Sequence, residues 1–585
     1  MAGARKPDPP RAVTKADVAG ALYAVAAMLE VTGDNPFRIR AFQNAANAVE
    51  DLSEDLNELV ANEKLLEVRG VGKSIFAAIK QMLETGTFDE YEKLRAKVPA
   101  GVLDMMRITG VGPKKAKTLY EKLGIKSIDE LEQAGRDGRL AEVPGWGEKT
   151  QLNILNAVAR YRKFARRFLY SDALEEATAI EKAVLKVAGV KRTMIGGSLR
   201  RARETIGDID ILATAADAEP VMDVFTTLGR VATVIAKGPT KSSIITHSGI
   251  HVDLRVVRDE EFAAACHYFT GNKEHNTEVR AIAKKLGYKL NEYGLFKGEE
   301  SVDIKDEAEL FAQLGMDWIP PEMRENAGEI EAAEEHALPQ LVELKDLRGT
   351  FHCHTTYSDG RSTLRDMAEA AKGLGFEYLG IADHSQSAGY AGGMKVDKVM
   401  QQRKEIAELN QELKPFVIFS GTESDILVDG RLDYDEDTLS GFDYVVASVH
   451  GQFTGGEAQM TQRIVTAVSN PFTTILGHPT GRLLLTRDGY PLNLIAVFEA
   501  CAKHNVYIEI NSWPNRLDLD WRHLRTAKDI GVKFVINPDA HNIREIEFVR
   551  YGVGIARKGW LTKDDILNTQ NIAQVRKTLD ARRKK

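Results

Sequence analysis

In the last 240 or so residues, side chains able to hold a metal ion recur at one kind of position, the C-terminal end of a short apolar run. GTFHC and the residues after it supply His352, His354 and Asp359, and YLGIAD leads to His384. FVIFSG leads to Glu423, DYVVAS to His450, TTILG to His478, and FVINP to Asp539 and His541. One histidine at a strand end is usually a packed core residue, but an ordered series of this kind is not explained by packing. Nine nitrogen and oxygen donors without sulfur suit two or three ions of the Mn2+, Zn2+ or Fe2+ kind. Such a cluster neutralises a phosphate ester and acidifies the water that attacks it.

A second constellation lies in MIGGSLRRARETIGDIDILAT. Strand alternation sends Asp208 and Asp210 to one face, and Asp253, in the β-rich run HVDLRVV, is the obvious third carboxylate. Three carboxylates can hold two divalent cations roughly 3.5–4 Å apart, the arrangement for in-line displacement at phosphorus. A lone DxD is usually a solvated turn. Here Gly196-Gly197-Ser198 stands upstream, where its backbone can open toward a triphosphate, and Arg200 or Arg201 can neutralise phosphate charge.

A third signal is repeated: VRGVGKS at 68–74, ITGVGPK at 108–114 and VPGWGEK at 143–149. Glycine serves where the chain turns at positive φ, and the N–H groups of the following helix can then meet a phosphate oxygen without regard to base identity. A single GxG is as readily a plain αα-turn. Three copies favour DNA-backbone binding through Gly70, Gly72 and Lys73, and through Gly110, Gly112 and Lys114. The third copy, with Trp146 and Glu148, is the weakest.

The elements that must position these groups follow from periodicity. Residues 14–165 read as helices; 168–260 mix helices with short β-rich runs, and a helical stretch continues to about 315. Residues 317–347, acidic and punctuated by proline, read as a linker. Beyond it, seven strand-length apolar runs alternate with helices, which predicts parallel βα units closing into a barrel. The strand ends of a parallel barrel meet at one rim, where such folds carry their chemistry.

Composition sets the limits. A chain of 585 residues needs several cores. No run approaches the roughly 20 apolar residues of a membrane span, and MAGARKPDPPRAV has no hydrophobic signal core. Cys266, Cys353 and Cys501 are far apart and form no CxxC, which fits a reducing cytoplasm. A net charge of −7 does not announce a nucleic-acid binder, although residues 191–204 hold five basic groups against one acidic and the chain ends RRKK.

With these motifs in view, residues 14–315 resemble a family X DNA polymerase, the repair class that fills short gaps. The GS…DxD pattern, the third Asp and the YFTG of Tyr268-Phe269-Thr270-Gly271 all stand here. The resemblance implies that Gly197, Ser198, Arg201 and Gly207 contact the triphosphate of a dNTP. It implies that Tyr268 and Gly271 line the sugar pocket with Phe269 also binding the nucleotide, and that Asn276 and Arg280 reach the nascent pair and template. Asp208, Asp210 and Asp253 would hold two Mg2+ or Mn2+. Relatives with abasic-site lyase activity carry a lysine where Ala78 stands, so that activity is expected to be weak or absent.

The later series is similar to the polymerase-and-histidinol-phosphatase (PHP) domain, with FHCHTTYSDG, IADHS, GTESD, ASVH, LGHP and NPDAH intact. Asp383 is expected to support the cluster from behind, and Arg482 and Arg516 are weaker candidates for gripping a DNA strand. The implied architecture is multidomain α+β and α/β. Residues 1–90 form a helical lyase-like domain and 91–167 a fingers-type helical domain with two further hairpins. A nucleotidyltransferase palm spans 168–256, a thumb-type domain 257–316, and a distorted seven-stranded βα barrel 348–585, after the linker. The implied function is gap-filling synthesis on gapped or primer-template DNA with Mn2+-dependent 3′→5′ exonuclease action, in a cytoplasmic, nucleoid-associated monomer. Two rivals are a barrel that acts as a small-molecule phosphatase or pyrophosphatase, and a first half that is only a DNA clamp.

Overall fold

The computed structural model describes residues 13, 15–52, 56–108, 110–164 and 167–583. The opening stretch and the side chains of the terminal basic run lie outside the described residues, as does Thr109 within the second hairpin. The chain forms two compact units, residues 1–166 and 167–585.

The first unit is helical among its described residues. Its three hairpins share one turn. The N–H of the residue between the glycines donates to the carbonyl three residues back: Val71 to Val68 (3.1 Å), Val111 to Ile108 (2.8 Å) and Trp146 to Val143 (2.9 Å). Gly70, Gly110 and Gly145 take φ of +102°, +86° and +85°, a region costly to a side chain. Gly72 and Gly112 then cap the helices Lys73–Thr85 and Pro113–Leu123. The third copy turns like the others, and Lys115 lies over the Trp146 ring (5.6 Å).

In the second unit, residues 193–257 form a five-stranded sheet in the order Thr193–Ile195, Asp208–Thr214, His251–Val257, Lys241–Thr246, Val231–Lys237. Alternation does the sorting. Ile209, Ile211 and Ala213 pack with Val252, Leu254 and Val256 beneath the helices Tyr170–Leu185 and Glu219–Thr227, leaving Asp208 and Asp210 on the opposite face. A smaller core follows, built on the helices Phe262–Thr270 and Lys273–Lys285 and a three-stranded antiparallel sheet.

Residues 317–347, expected as a linker, are folded. Met323, Ile330, Ala333 and Leu341 join the preceding core. Arg324 is fully buried, donating to the Ile319 carbonyl (2.9 Å) and to Glu307 (2.5 Å). The acidic residues that suggested a solvated segment are partners for basic ones. Glu325 takes Arg201 and Arg203 at 3.1 Å and Lys558 at 2.5 Å.

That junction carries a pH dependence. Burial opposes the charge on Glu325, but Lys558 and Arg201 hold its carboxyl down to about 2 from an ordinary 4.5. The pair is not equally favourable on both sides, because burial outweighs Glu325 and leaves Lys558 lowered to about 8. A depressed carboxyl stabilises the fold above about pH 4.5, and that contribution fades as pH falls toward 2, reaching at most about 3 kcal/mol. Denaturant midpoints measured from pH 5 to pH 3 should therefore fall more steeply in wild type than in Glu325→Gln.

The seven anticipated strands are all present and pair in parallel in chain order: Gly349–Thr350, Tyr378–Ile381, Val417–Asp425, Tyr444–Ser448, Ile475–Leu476, Tyr507–Asn511 and Phe534–Asn537. The first and last approach closely enough to nearly close the barrel: the Thr350 hydroxyl donates to the Ile536 carbonyl (3.2 Å), and Cys353 bridges Ala540. Among the described residues no helix is long and apolar enough to cross a membrane, and the three cysteines are buried and form no disulfide.

Candidate active sites

The parallel register sets Asp208 opposite His251 and Asp210 opposite Asp253. Asp210 is pushed up to about 7, first by burial and then by Asp208 and Asp253. Asp210, crowded by two further carboxylates, belongs to a donor set whose repulsion cations would relieve. Asp253, although burial opposes its charge, is held low by Lys241 (2.7 Å) and the Ser243 hydroxyl (2.6 Å). The glycine turn closes on this face. Gly196 N–H donates to the Asp210 carbonyl (2.7 Å). Gly197 adopts φ +61°, and a Cβ there would lie 2.3 Å from an Asp210 carboxylate oxygen. Ser198 follows directly within the short helix Gly197–Arg200.

The two arginines separate. Arg200 is internal, bonded to Glu307 (2.6 Å) and the Thr270 hydroxyl (2.5 Å). Arg201 donates to Glu325 (3.1 Å) and to the Thr270 carbonyl. It also touches the sugar-pocket turn, since a Cβ at Gly271 (φ +71°) would meet its guanidinium at 2.9 Å. Tyr268 and Phe269 lie edge to face (5.0 Å). Asn276 donates to the Tyr268 carbonyl (2.8 Å) while its own buried side-chain oxygen has no hydrogen-bond partner. Arg280 donates back to the Asn276 carbonyl (3.2 Å). Sequence reasoning missed Arg167, which bonds Thr205 (2.8 Å) and stands against Gly207 and the charge of Asp208. No motif marks it, because it precedes the sheet.

At the barrel rim the nine residues converge. Glu423 is the hub, within 3.0–3.8 Å of ring nitrogens of His352, His354, His384, His450 and His478. Asp539 lies 3.2 Å from His354 and 3.5 Å from His352; Asp359 lies 3.5 Å from His541 and 3.6 Å from His384. Among the described residues three donor groups emerge: His354, Asp359, His384 and His541; His352, His354 and Asp539; and His384, Glu423 and His450. Buried nitrogens of His352, His354 and His384 face carboxylates at these distances without hydrogen-bond geometry. Nitrogens so placed suit cations between the donors. Burial opposes charge on His384 and His450, yet Glu423 with Asp359 or Asp425 holds them up, at about 10 and about 9. At these two rings the neighbouring carboxylates favour positive charge.

Two supporting carboxylates were not foreseen. Glu509 accepts from His352 Nδ1 (2.6 Å), His478 N–H (2.7 Å), Asn537 (2.9 Å) and Asn511 (3.1 Å), turning the other face of His352 inward. Asp425 does the same for His450. The signal for Glu509 was an acid inside the apolar run VYIEI, which no core tolerates unpaired. Replacing Glu509 by Gln should weaken Mn2+ binding about 10- to 100-fold in a calorimetric titration while leaving the far-UV spectrum unchanged. Asp383 lies behind the cluster as expected, taking the Thr355 N–H (2.8 Å), the Thr355 hydroxyl (2.7 Å) and Gln402. Arg482, suggested for DNA, is instead structural: it bonds Asp520 and the carbonyls of Arg516 and Leu517. Arg516 remains at the rim, 3.6 Å from Asp539.

Family models match in the same places: the helix-hairpin-helix domain over 13–88 and the SAM-like helix-hairpin-helix tandem over 102–160. The DNA polymerase beta thumb matches 265–325, and the PHP domain 350–512. A probable phosphatase of Thermoanaerobacter sp. (strain X514) is 25% identical over 251 residues, 40% of this chain and 95% of its own. DNA polymerase lambda of Arabidopsis thaliana is 23% identical over 297 residues, 45% of this chain and 54% of its own. The DNA polymerase/3′-5′ exonuclease PolX of Bacillus subtilis (strain 168) is 38% identical over 567 residues, 96% of this chain and 98% of its own. With both carboxylate clusters and all four domain types in one chain, and a relative of that extent, the protein belongs to the bacterial family X DNA polymerases that carry a PHP domain.

Proposed function

We propose that this protein fills short gaps in DNA at Asp208, Asp210 and Asp253 and trims 3′ ends at the barrel rim. The observation that supports this reading most is that two separate sets of mutually facing donors exist in one chain. Divalent cations bound at each would neutralise phosphate charge and acidify the attacking hydroxyl or water. Mg2+ or Mn2+ suits the all-carboxylate set, whereas the mixed imidazole set suits Mn2+, Zn2+ or Fe2+.

Within the palm, Ser198, the Gly197 turn and Gly207 would cradle the triphosphate, with Arg201 turning from Glu325 to its charge. Tyr268, Phe269 and Gly271 would seat the sugar, and Asn276 and Arg280 the nascent pair. The hairpin helices would take the DNA backbone through Lys73 and Lys114, both exposed at helix starts. Ala78, half-buried in the first such helix, offers no amine, so abasic-site lyase activity should be weak or absent. A borohydride-trapping assay on an abasic duplex reads this, with no covalent adduct expected.

The test of the whole reading uses a one-nucleotide-gapped duplex with a labelled primer. With dNTPs and Mn2+ the primer lengthens by one nucleotide; without dNTPs it shortens from its 3′ end; a chelator stops both. A protein that does neither on this substrate contradicts the proposal. The 25% identity to a probable phosphatase supports a second reading of the barrel, as a hydrolase of small phosphate esters. Comparing p-nitrophenyl phosphate with an oligonucleotide of equal concentration separates the two.

A further inference from the structure

The donor cluster at the barrel rim is flanked by two aromatic side chains, and we infer that Tyr390 and Trp513 stack the two nucleobases adjoining the phosphodiester held at the rim, so that the site reads a single strand of DNA. The inference rests on the proposed trimming role and goes further, naming what distinguishes a nucleotide strand from a small phosphate.

The rings form a row. Trp513 stands edge-on to His541 (5.4 Å), His541 stacks on His354 (4.3 Å), His354 meets His384 (4.6 Å), and His384 meets Tyr390 (6.1 Å). The two large aromatics therefore occupy opposite ends of the histidine row. Trp513 is propped by Phe548 (5.7 Å, perpendicular). Tyr390, in the short turn Gly389–Ala391, is 72% exposed although its ring lies beside both His384 and His450.

A large aromatic left in water over a polar cluster gains nothing for folding, since a core position would bury it. A nucleobase supplies the missing face whatever its identity, because every base has a π-surface. Arg516, on the Trp513 side and 3.6 Å from Asp539, adds a positive charge for the neighbouring phosphate. A small phosphate ester would use the donor cluster and neither ring.

The experiment measures 3′ trimming of a single-stranded oligonucleotide in Mn2+ by wild type, Tyr390→Ala and Tyr390→Phe. Tyr390→Ala should raise KM about tenfold, on the order expected for one lost stack, with kcat changed less than twofold; Tyr390→Phe should behave as wild type. On an oligonucleotide whose two 3′-terminal nucleotides lack bases, wild type and Tyr390→Ala should have the same KM. With Ca2+ replacing Mn2+, 2-aminopurine at the 3′ end should be quenched by wild type and less so by Tyr390→Ala. Equal KM values on the normal strand, or an equal loss on the base-free strand, overturn the inference while leaving trimming at the rim intact. Trimming that survives His352→Ala overturns the underlying assignment, and the stacking proposal with it.

Discussion

Asp253→Ala should abolish gap filling, lowering single-nucleotide extension on the order of a thousandfold or more, while 3′ trimming stays within about twofold of wild type. The size follows from position. Asp253 opposes Asp210 across the parallel strand pair and is the carboxylate that Lys241 and Ser243 fix in place. Its removal takes away one donor of three and leaves Lys241 without its partner, so the face turns from anionic toward neutral. Single-turnover extension with saturating dNTP checks this, because slow product release cannot mask a chemical defect there. Extension near the wild-type rate would mean that the polymerase centre lies elsewhere. Ser243 touches the same carboxylate but is no candidate donor itself, so Ser243→Ala should cost far less.

His352→Ala should produce the complementary result: trimming lost by a similar factor and gap filling unaffected. His352 is fully buried, faces Glu423 at 3.4 Å and Asp539 at 3.5 Å, and is braced by Glu509. Glu423→Gln should be at least as severe, since five imidazoles share that one carboxylate. The separation of the two losses is the informative feature, because each variant serves as the other's control for folding.

Much of this was legible in the sequence because metal chemistry is demanding about residue type. The donors had to be histidine or carboxylate at strand ends, and the seven apolar runs located those ends. Asp208, Asp210 and Asp253 were legible for the same reason, with strand alternation supplying the face. What the sequence concealed was anything satisfied by a distant partner. The acidic stretch 317–347 looked solvated because its counter-charges, Arg201, Arg203 and Lys558, are up to hundreds of residues away. Arg482 looked available for the same reason, its partner Asp520 being invisible by local pattern. Glu509 was hidden by its own strand, where an apolar run drew attention to packing rather than to the one polar group inside it.

Both activities require that two distinct cation clusters, each facing a phosphate, be assembled from distant segments of this chain. Anomalous scattering recorded at the manganese edge, from crystals grown with Mn2+, gapped DNA and a non-hydrolysable dNTP, tests it most directly. One group of peaks is expected among Asp208, Asp210 and Asp253 and a second around Glu423, the latter vanishing in Glu423→Ala while the former stays. Peaks confined to one location, or manganese scattered over surface carboxylates, would contradict it.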